Sequence, residues 1–115
     1  MSTRNDLEFS QGDDTQITLQ ATRLGAPASL AGKRMELLVK PKAESDDVDQ
    51  LFQLSSVGPA GIVITDAPNG LAVATLTDLL DDDGEFWYRA WIAAVADATV
   101  DRETFTHGLW VVKPR

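Results

Sequence analysis

The stretch that decides the fold is residues 61–80, GIVITDAPNGLAVATLTDLL, which leads into residues 83–95, DGEFWYRAWIAAV. Residues at 62–65 and again at 71–76 alternate between two faces, as the residues of half-buried strands do. Between them the segment APNG, at 67–70, supplies a turn, because proline fixes φ and Asn-Gly accepts a positive φ. No pattern of helical period and helical length interrupts this region. The sequence therefore predicts an all-β chain.

The same alternation and turn spacing continue on both sides of this stretch, which is typical of a β-sandwich. We expect about seven or eight strands in all, packed as a single antiparallel β-sandwich. The further strands are expected at residues 7–10, 15–22, 34–40, 51–55 and 102–112, with turn regions at 11–14, 24–31 and 97–101 and a connection at 77–83 that has room for one helical turn.

The strand at 34–40 carries the clearest two-sided pattern among these. Its apolar positions Met35, Leu37 and Val39 are predicted to face the core, and the charged residues between them are predicted to face solvent. The charged positions are Arg34, Glu36 and Lys40, and Leu38 is an apolar residue on that polar side.

The chain of 115 residues fits one domain, residues 1–115, with an N-terminal arm at 1–6 and an acidic loop at 43–50. A chain of this size buries roughly two-thirds of its unfolded surface, which is enough for a core without disulfides. It has no cysteine, so we expect neither a thiolate metal site nor a cysteine nucleophile. No apolar segment typical of a signal peptide or a membrane span is readable, so we expect synthesis in the cytoplasm and no membrane partner.

The net charge is −8, from 18 acidic and 10 basic side chains. Binding to a nucleic acid backbone needs clustered lysine and arginine, and the basic residues here are scattered along the sequence. We therefore expect no nucleic acid partner, and we interpret the acidity as favouring solubility.

The acidic clusters and the single histidine are weak candidates for chemistry. The segment DDDGE at 81–85 fails the calcium-loop template at both ends, so a solvated turn is favoured over a cation site. No metal-ligand, nucleophile or phosphate-loop motif accompanies His107. We predict a protein that is not an enzyme and that needs neither a cofactor nor a metal.

The last two long strands predict an outward apolar patch. If Phe86 and Tyr88 point into the core, strict alternation sends the residues between and after them outward, and the paired strand presents its own outward set beside them. The candidate interface residues are Leu38, Trp87, Arg89, Trp91, Phe105, His107, Leu109 and Val111. Tryptophan and arginine on an exposed apolar surface are typical of binding interfaces. Two alternatives stay open: the chain's own loops cover this patch, or a register slip of one residue reverses every assignment.

The order of motifs resembles the immunoglobulin-like domains of tailed-phage virion proteins, and most of all the amino-terminal domain family of phage baseplate upper proteins. The motifs that carry the resemblance are QGD at 11–13, LAGK at 30–33 and the rhythm of GEFWY at 84–88, within a match that covers about residues 7–114. The resemblance implies an immunoglobulin-like sandwich in a non-enzymatic structural subunit of a bacteriophage virion. That family usually joins this domain to a longer fibre part, so a chain that stops at residue 115 is expected to be a stand-alone accessory.

We therefore expect the protein to reside in the virion, and in the host cytoplasm during assembly, as a tail, baseplate or neck accessory protein. Its expected partners are other virion proteins, including further copies of itself in a symmetric array. Two alternatives are a capsid decoration protein of a phage head and, from another class, a carbohydrate- or receptor-binding module in which Trp87 and Trp91 stack on sugar rings.

Overall fold

The computed structural model describes residues 3–42, 50–57, 61–77, 79–97 and 102–114. Within them the chain is all-β, and the only helical segment is a single 3₁₀ turn at Ala67–Asn69. The strands are β1 (Thr3–Arg4), β2 (Leu7–Ser10), β3 (Thr15–Gln20), β4 (Thr22–Arg23), β5 (Ala26–Pro27), β6 (Lys33–Lys40), β7 (Phe52–Ser55), β8 (Ile62–Asp66), β9 (Leu71–Leu76), β10 (Gly84–Ala94) and β11 (Glu103–Lys113).

These strands form two main sheets and a short ribbon. The larger sheet has six strands in the order β1-β11-β10-β6-β7, with β2 also paired to β11, and the smaller sheet has the order β3-β9-β8. The β4–β5 pair forms the ribbon. This arrangement confirms the predicted all-β class and is consistent with a β-sandwich.

Side chains from both sheets contribute to one apolar core. Leu19, Ala72 and Leu76 of the smaller sheet belong to the same buried cluster as Tyr88 and Trp110 of the larger sheet. The Trp110 ring lies 4.5 Å from that of Phe9, 5.8 Å from that of Phe52 and 5.7 Å from that of Tyr88, measured between centroids. Such aromatic contacts stabilise a core beyond the apolar area they bury.

The predicted turn at 67–70 is confirmed in its chemistry and refined in its geometry. The 3₁₀ turn at Ala67–Asn69 has its proline in the first turn, and Gly70 follows with φ of 73°. A Cβ at Gly70 would lie 2.5 Å from the Ala28 carbonyl oxygen, so both the backbone angle and the close approach require glycine.

Part of the N-terminal arm predicted at 1–6 belongs to the larger sheet. Thr3 and Arg4 form β1, which pairs in parallel with Thr106 and His107 of β11. The predicted strand at 15–22 is divided into β3 and β4, and β5 lies within the predicted turn region at 24–31.

Several other sequence predictions fall on residues that the structure does not describe. The acidic loop at 43–50 is described only at residue 50, and the turn at 97–101 only at residue 97. Within the described ranges no helix is long and apolar enough to span a membrane.

Candidate docking face

One side of the six-stranded sheet lies opposite the main core, and we call it the outer face. Its residues follow from the strand registers and from a second buried cluster formed by Leu38, Trp91 and Ala93, separate from the main core. The outer face comprises Glu8, Arg34, Glu36, Leu38, Lys40, Gln53, Ser55, Glu85, Trp87, Arg89, Trp91, Ala93, Thr104, His107, Leu109 and Val111, with Arg4 and Arg102 reaching onto it.

Trp91 lies on the outer face as predicted, but it is 3% exposed. The Arg89 guanidinium carbon lies 5.0 Å and that of Arg102 4.8 Å from the centroid of its ring. Leu38 and Ala93 pack with it in the same cluster. Cationic side chains are attracted to the face of an indole, and their stems cover the ring. The chain's own arginines therefore cover this tryptophan.

Trp87 lies four residues before Trp91 in β10 and is half-buried. The Arg4 guanidinium carbon lies 5.4 Å from its ring centroid, and the His107 ring lies 5.9 Å away at 41°. The parallel pairing of Arg4 with His107 places β1 beside this tryptophan. An aromatic ring with an arginine and a histidine beside it is the kind of group that anchors a protein interface.

Glu36 is buried on the outer face, which corrects the prediction that it faces solvent. Its carboxylate accepts hydrogen bonds from Arg34 Nε at 2.6 Å, from Ser55 Oγ at 2.9 Å and from Gln53 Nε2 at 3.3 Å. These donors satisfy the carboxylate, so the charge is tolerated in the sheet. Lys40, also predicted to face solvent, is 8% exposed. The error arises because alternation gives the face of a residue but not what covers that face.

The N-terminal segment is fixed to the edge of the outer face by polar contacts. The Tyr88 hydroxyl donates a hydrogen bond to the Asn5 carbonyl oxygen. The Leu109 N–H donates to Asp6 Oδ1 at 2.9 Å, and Arg4 Nε donates to the same oxygen at 3.1 Å. The Leu109 N–H, and then Arg4, hold the pKa of Asp6 below its usual value. These contacts fix the position of Arg4 beside the indole of Trp87.

The close approach of this segment depends on Gly108. A Cβ at this position would lie 2.7 Å from both the Asn5 carbonyl oxygen and Asp6 Oδ1. Such distances are shorter than any van der Waals contact, so a side chain here would push the segment away from β11. Glycine at position 108 therefore lets the N-terminal segment approach β11 closely.

Phe105 is not on the outer face, which corrects its place in the predicted patch. The β10–β11 register shifts between Ala90, which pairs with Thr106, and Trp91, which pairs with Thr104. This irregularity leaves Phe105 without a partner in the ladder, and its side chain joins the main core at 2% exposure. A β-bulge of this kind breaks strict alternation.

The remaining members of the predicted patch do lie together on the outer face. Trp87, Arg89, His107, Leu109 and Val111 are all half-buried there. Leu38 is also on this face but is 1% exposed, so it packs against Trp91 and Ala93 and contributes no accessible surface. The structure therefore brings together seven of the eight predicted residues, of which five contribute accessible surface.

The outer face also brings together basic side chains that are scattered along the sequence. Six of the ten basic residues, Arg4, Arg34, Lys40, Arg89, Arg102 and Lys113, lie on it or at its rim. Residues far apart in sequence meet here because β6, β10, β11 and β1 are neighbours in the sheet. Three of them pair with carboxylates: Arg4 with Asp6 at 3.1 Å, Arg34 with Glu36 at 2.6 Å and Lys113 with Glu8 at 3.0 Å. The outer face therefore combines basic and acidic groups.

The acidic segment at 81–83 is exposed in the structure, as a solvated turn would be. Among the described residues, no group of three or more histidine, aspartate or glutamate side chains is placed to hold a metal ion. Compared with known proteins, the chain matches no protein-family model and no curated protein.

Proposed function

We propose that the protein is a non-enzymatic structural subunit of a bacteriophage virion, a tail, baseplate or neck accessory protein, that docks on neighbouring virion proteins through its outer face. The observation that carries the docking role is the group of half-buried Trp87, Leu109 and Val111 on one face, with the guanidinium of Arg4 5.4 Å from the ring centroid of Trp87. Surfaces that combine tryptophan, arginine and apolar residues in this way are typical of protein interfaces.

We further infer that the sandwich is immunoglobulin-like. Two observations support this inference: the smaller sheet has the order β3-β9-β8, and β6, β10 and β11 are neighbours in the larger one. These correspond to the B-E-D and C-F-G strands of the immunoglobulin fold. The sequence resemblance over about residues 7–114 to virion immunoglobulin-like domains points to the same family.

The interface implied by the outer face is modest for one copy. A half-buried tryptophan and two aliphatic side chains contribute a few kcal/mol when covered, at about 25 cal/mol per Å² of apolar surface. Many copies in a symmetric particle make such an interface sufficient, because each docking event raises the effective concentration of the next.

A passive role also accounts for the surroundings of His107. It lies between Trp87 and Arg4, and the nearby carboxylate of Asp6 accepts hydrogen bonds from a backbone N–H and an arginine. A general base needs a neighbouring nucleophile or substrate group with which to exchange a proton. The groups around this histidine suit packing rather than proton transfer.

The sugar-binding alternative is disfavoured by the burial of Trp91. At 3% exposure, with two arginines against its ring, it offers no open face to a sugar. Capsid decoration uses the same kind of docking and differs only in the partner. An experiment that identifies the partner therefore distinguishes capsid decoration from a role in the tail.

The proposal is tested by asking whether the protein is a component of purified phage particles. Particles from a lysate that contains the protein are banded on a density gradient, heads and tails are separated, and each fraction is analysed by mass spectrometry. We expect the protein with the tails. Recovery with the heads would favour capsid decoration, and recovery only in the particle-free supernatant would contradict the virion assignment.

The docking face is tested with a matched pair of variants in the same assay. Leu109→Glu places a charge within the outer face, whereas Val63→Glu places one on the smaller sheet, where Val63 is 65% exposed. We expect the Leu109 variant to be absent from particles and the Val63 variant to be incorporated normally. Equal incorporation of two folded variants would mean that the outer face is not the docking surface.

A further inference from the structure

The smaller sheet has an open edge at β3. Among the described residues, β3 pairs with β9 on one side and with no strand on the other. Its sequence, TQITLQ, contains neither a charged residue nor a proline. Natural sheets commonly protect their edges with lysine, proline or a bulge, because an unprotected edge pairs readily with another chain. The edge of β3 has none of these protections over its six residues.

The pairing of β3 with β9 determines which backbone N–H and C=O groups of β3 point toward the open edge. Ala21 N–H donates to the Gly70 carbonyl at 2.8 Å, one position beyond the β3–β9 ladder and in the same register. In an antiparallel pair, the backbone groups of alternate residues point to the same side. Ile17 and Leu19 therefore point their backbone groups toward β9. Those of Gln16, Thr18 and Gln20 point away from it, and all three residues have exposed side chains.

We propose that this edge is a self-association surface: two copies of the chain pair antiparallel through β3, with Thr18 opposite Thr18 on the two-fold axis. A symmetric antiparallel pair must place residues with outward backbone groups opposite each other. In β3 the residues with outward backbone groups are Gln16, Thr18 and Gln20. The two axes that set such residues opposite each other with the longest overlap of the strands pass through Thr18 and through Ile17. The Thr18 axis sets Gln16 opposite Gln20 and continues the sheet from one copy into the other.

Charge distinguishes between the two registers. With the axis at Thr18, the end of β3 near Asp13 of one copy lies beside the end near Arg23 of its partner: Asp13 is two residues before β3, and Arg23 is three residues after it, in β4. Asp13 is exposed, and the Arg23 side chain is 59% exposed while it donates to Glu103 at 2.6 Å. With the axis at Ile17, Asp13 would instead face Ala21, which offers no charge. Opposite charges placed across a strand pair stabilise it, and so does a Thr–Thr pair.

A groove beside the edge adds apolar contact to the pairing. It lies between β3 and the N-terminal strands of the other sheet and is lined in part by Leu7, Ile17, Leu19 and Phe105. In the proposed pair Ile17 of one copy faces Leu19 of the other on this inner side, where Ile17 alone is only half-buried. The pairing therefore covers apolar surface in addition to forming backbone hydrogen bonds.

This association is independent of docking through the outer face, because the two surfaces belong to different sheets. A single strand pair buries less than a standard interface, so we expect a weak dimer that forms at high concentration or within an assembly. A particle could thus hold pairs of subunits, each of them docked through its outer face.

The test uses the fact that the chain has no cysteine. Single cysteines are introduced at Thr18, on the proposed axis, and at Val63, which is exposed on the opposite edge of the same sheet. Because a disulfide needs Cα atoms within about 7 Å, the Thr18→Cys variant should cross-link about tenfold or more faster than Val63→Cys under mild oxidation. Equal rates would overturn the proposal.

The register has a test of its own. Gln16→Cys and Gln20→Cys should each cross-link slowly alone and rapidly when mixed, because the proposed axis sets residue 16 opposite residue 20. If Gln16→Cys instead cross-links with Thr18→Cys and not with Gln20→Cys, the axis at Thr18 is wrong.

A last variant separates association from folding. The Thr18 N–H points away from β9, so Thr18→Pro removes no hydrogen bond within one copy but blocks pairing at the edge. We expect its thermal midpoint to stay close to that of the wild type, while sedimentation at rising concentration shows dimers only for the wild type. A folded proline variant that dimerises as the wild type does would overturn the proposal. If the proline variant does not fold, the cysteine comparison decides.

Discussion

Truncating Trp91 should destabilise the protein more than truncating Trp87, because Trp91 is buried on the outer face and Trp87 is partly accessible there. In Trp91→Ala, the loss comes from an indole that is 3% exposed and contacts Leu38 and Ala93. A tryptophan side chain buries roughly 200 Å², which corresponds to about 5 kcal/mol at about 25 cal/mol per Å². Residual compactness of the unfolded chain reduces this figure, so we expect the free energy of unfolding to fall by about 3 to 4 kcal/mol.

The assay is urea unfolding followed by far-ultraviolet circular dichroism, because removing a tryptophan alters the fluorescence signal itself. With a slope of about 1–3 kcal/mol per M for a small protein, the midpoint should move down by about 2 M. The control is Trp87→Ala, which truncates the half-buried indole beside Arg4 and should lower the midpoint by less than half as much. Equal shifts for the two variants would mean that Trp91 is as accessible as Trp87 and that our description of the outer face is wrong.

Three further predictions concern the N-terminal segment. Gly108→Ala should lower the free energy of unfolding by about 2 kcal/mol and expose Arg4 to trypsin, because the new Cβ would lie 2.7 Å from oxygens of Asn5 and Asp6. The control is Gly25→Ala, where φ is 80° but the space around the glycine is open, and it should leave Arg4 protected. Burial raises the pKa of Tyr88, the only tyrosine. Its ultraviolet titration should therefore occur at higher pH in the native protein than in urea. The stability that Tyr88 contributes should persist below its unfolded pKa of about 10 and be lost as pH rises through the folded value. The pKa of Asp6 is lowered by the Leu109 N–H and then by Arg4, so the stability that Asp6 contributes is present above its unfolded pKa and lost on acidification. The thermal midpoint of the wild type should therefore fall more than that of Asp6→Asn between about pH 6 and about pH 3. Parallel curves for the two proteins would contradict this.

The strands and the central turn could be predicted from the sequence because their signals are local. Alternation placed β2, β9 and most of β6, and the Asn-Gly at 69–70 marked a turn whose glycine does have a positive φ of 73°. Each of these features depends on residues within a few positions of one another.

The features that could not be predicted depend on contacts between distant residues. The register shift at Ala90 and Trp91 sends Phe105 into the core, and nothing in the local sequence marks the bulge. Glu36 is buried because Ser55 and Gln53 come from a neighbouring strand to hydrogen-bond its carboxylate. A pattern read along one strand contains no information about such partners.

The basic residues of the outer face illustrate the same limit for the candidate site. The basic residues are spread from position 4 to position 113 in the sequence. They come together only because a parallel pairing brings Arg4 to β11 and because β6 lies beside β10. Parallel pairing is non-local by nature, and the two-residue strand that makes it is too short to give a pattern of its own.

The most direct test of docking through the outer face is the labelling of single cysteines in the free and the particle-bound protein. Leu109→Cys lies on the outer face, and Val63→Cys lies on the smaller sheet. Each variant is allowed to react with a soluble maleimide before and after incorporation into particles. Our account predicts that position 109 reacts much more slowly in particles than in the free protein while position 63 reacts equally in both. Unchanged reactivity at position 109 in assembled particles would contradict it.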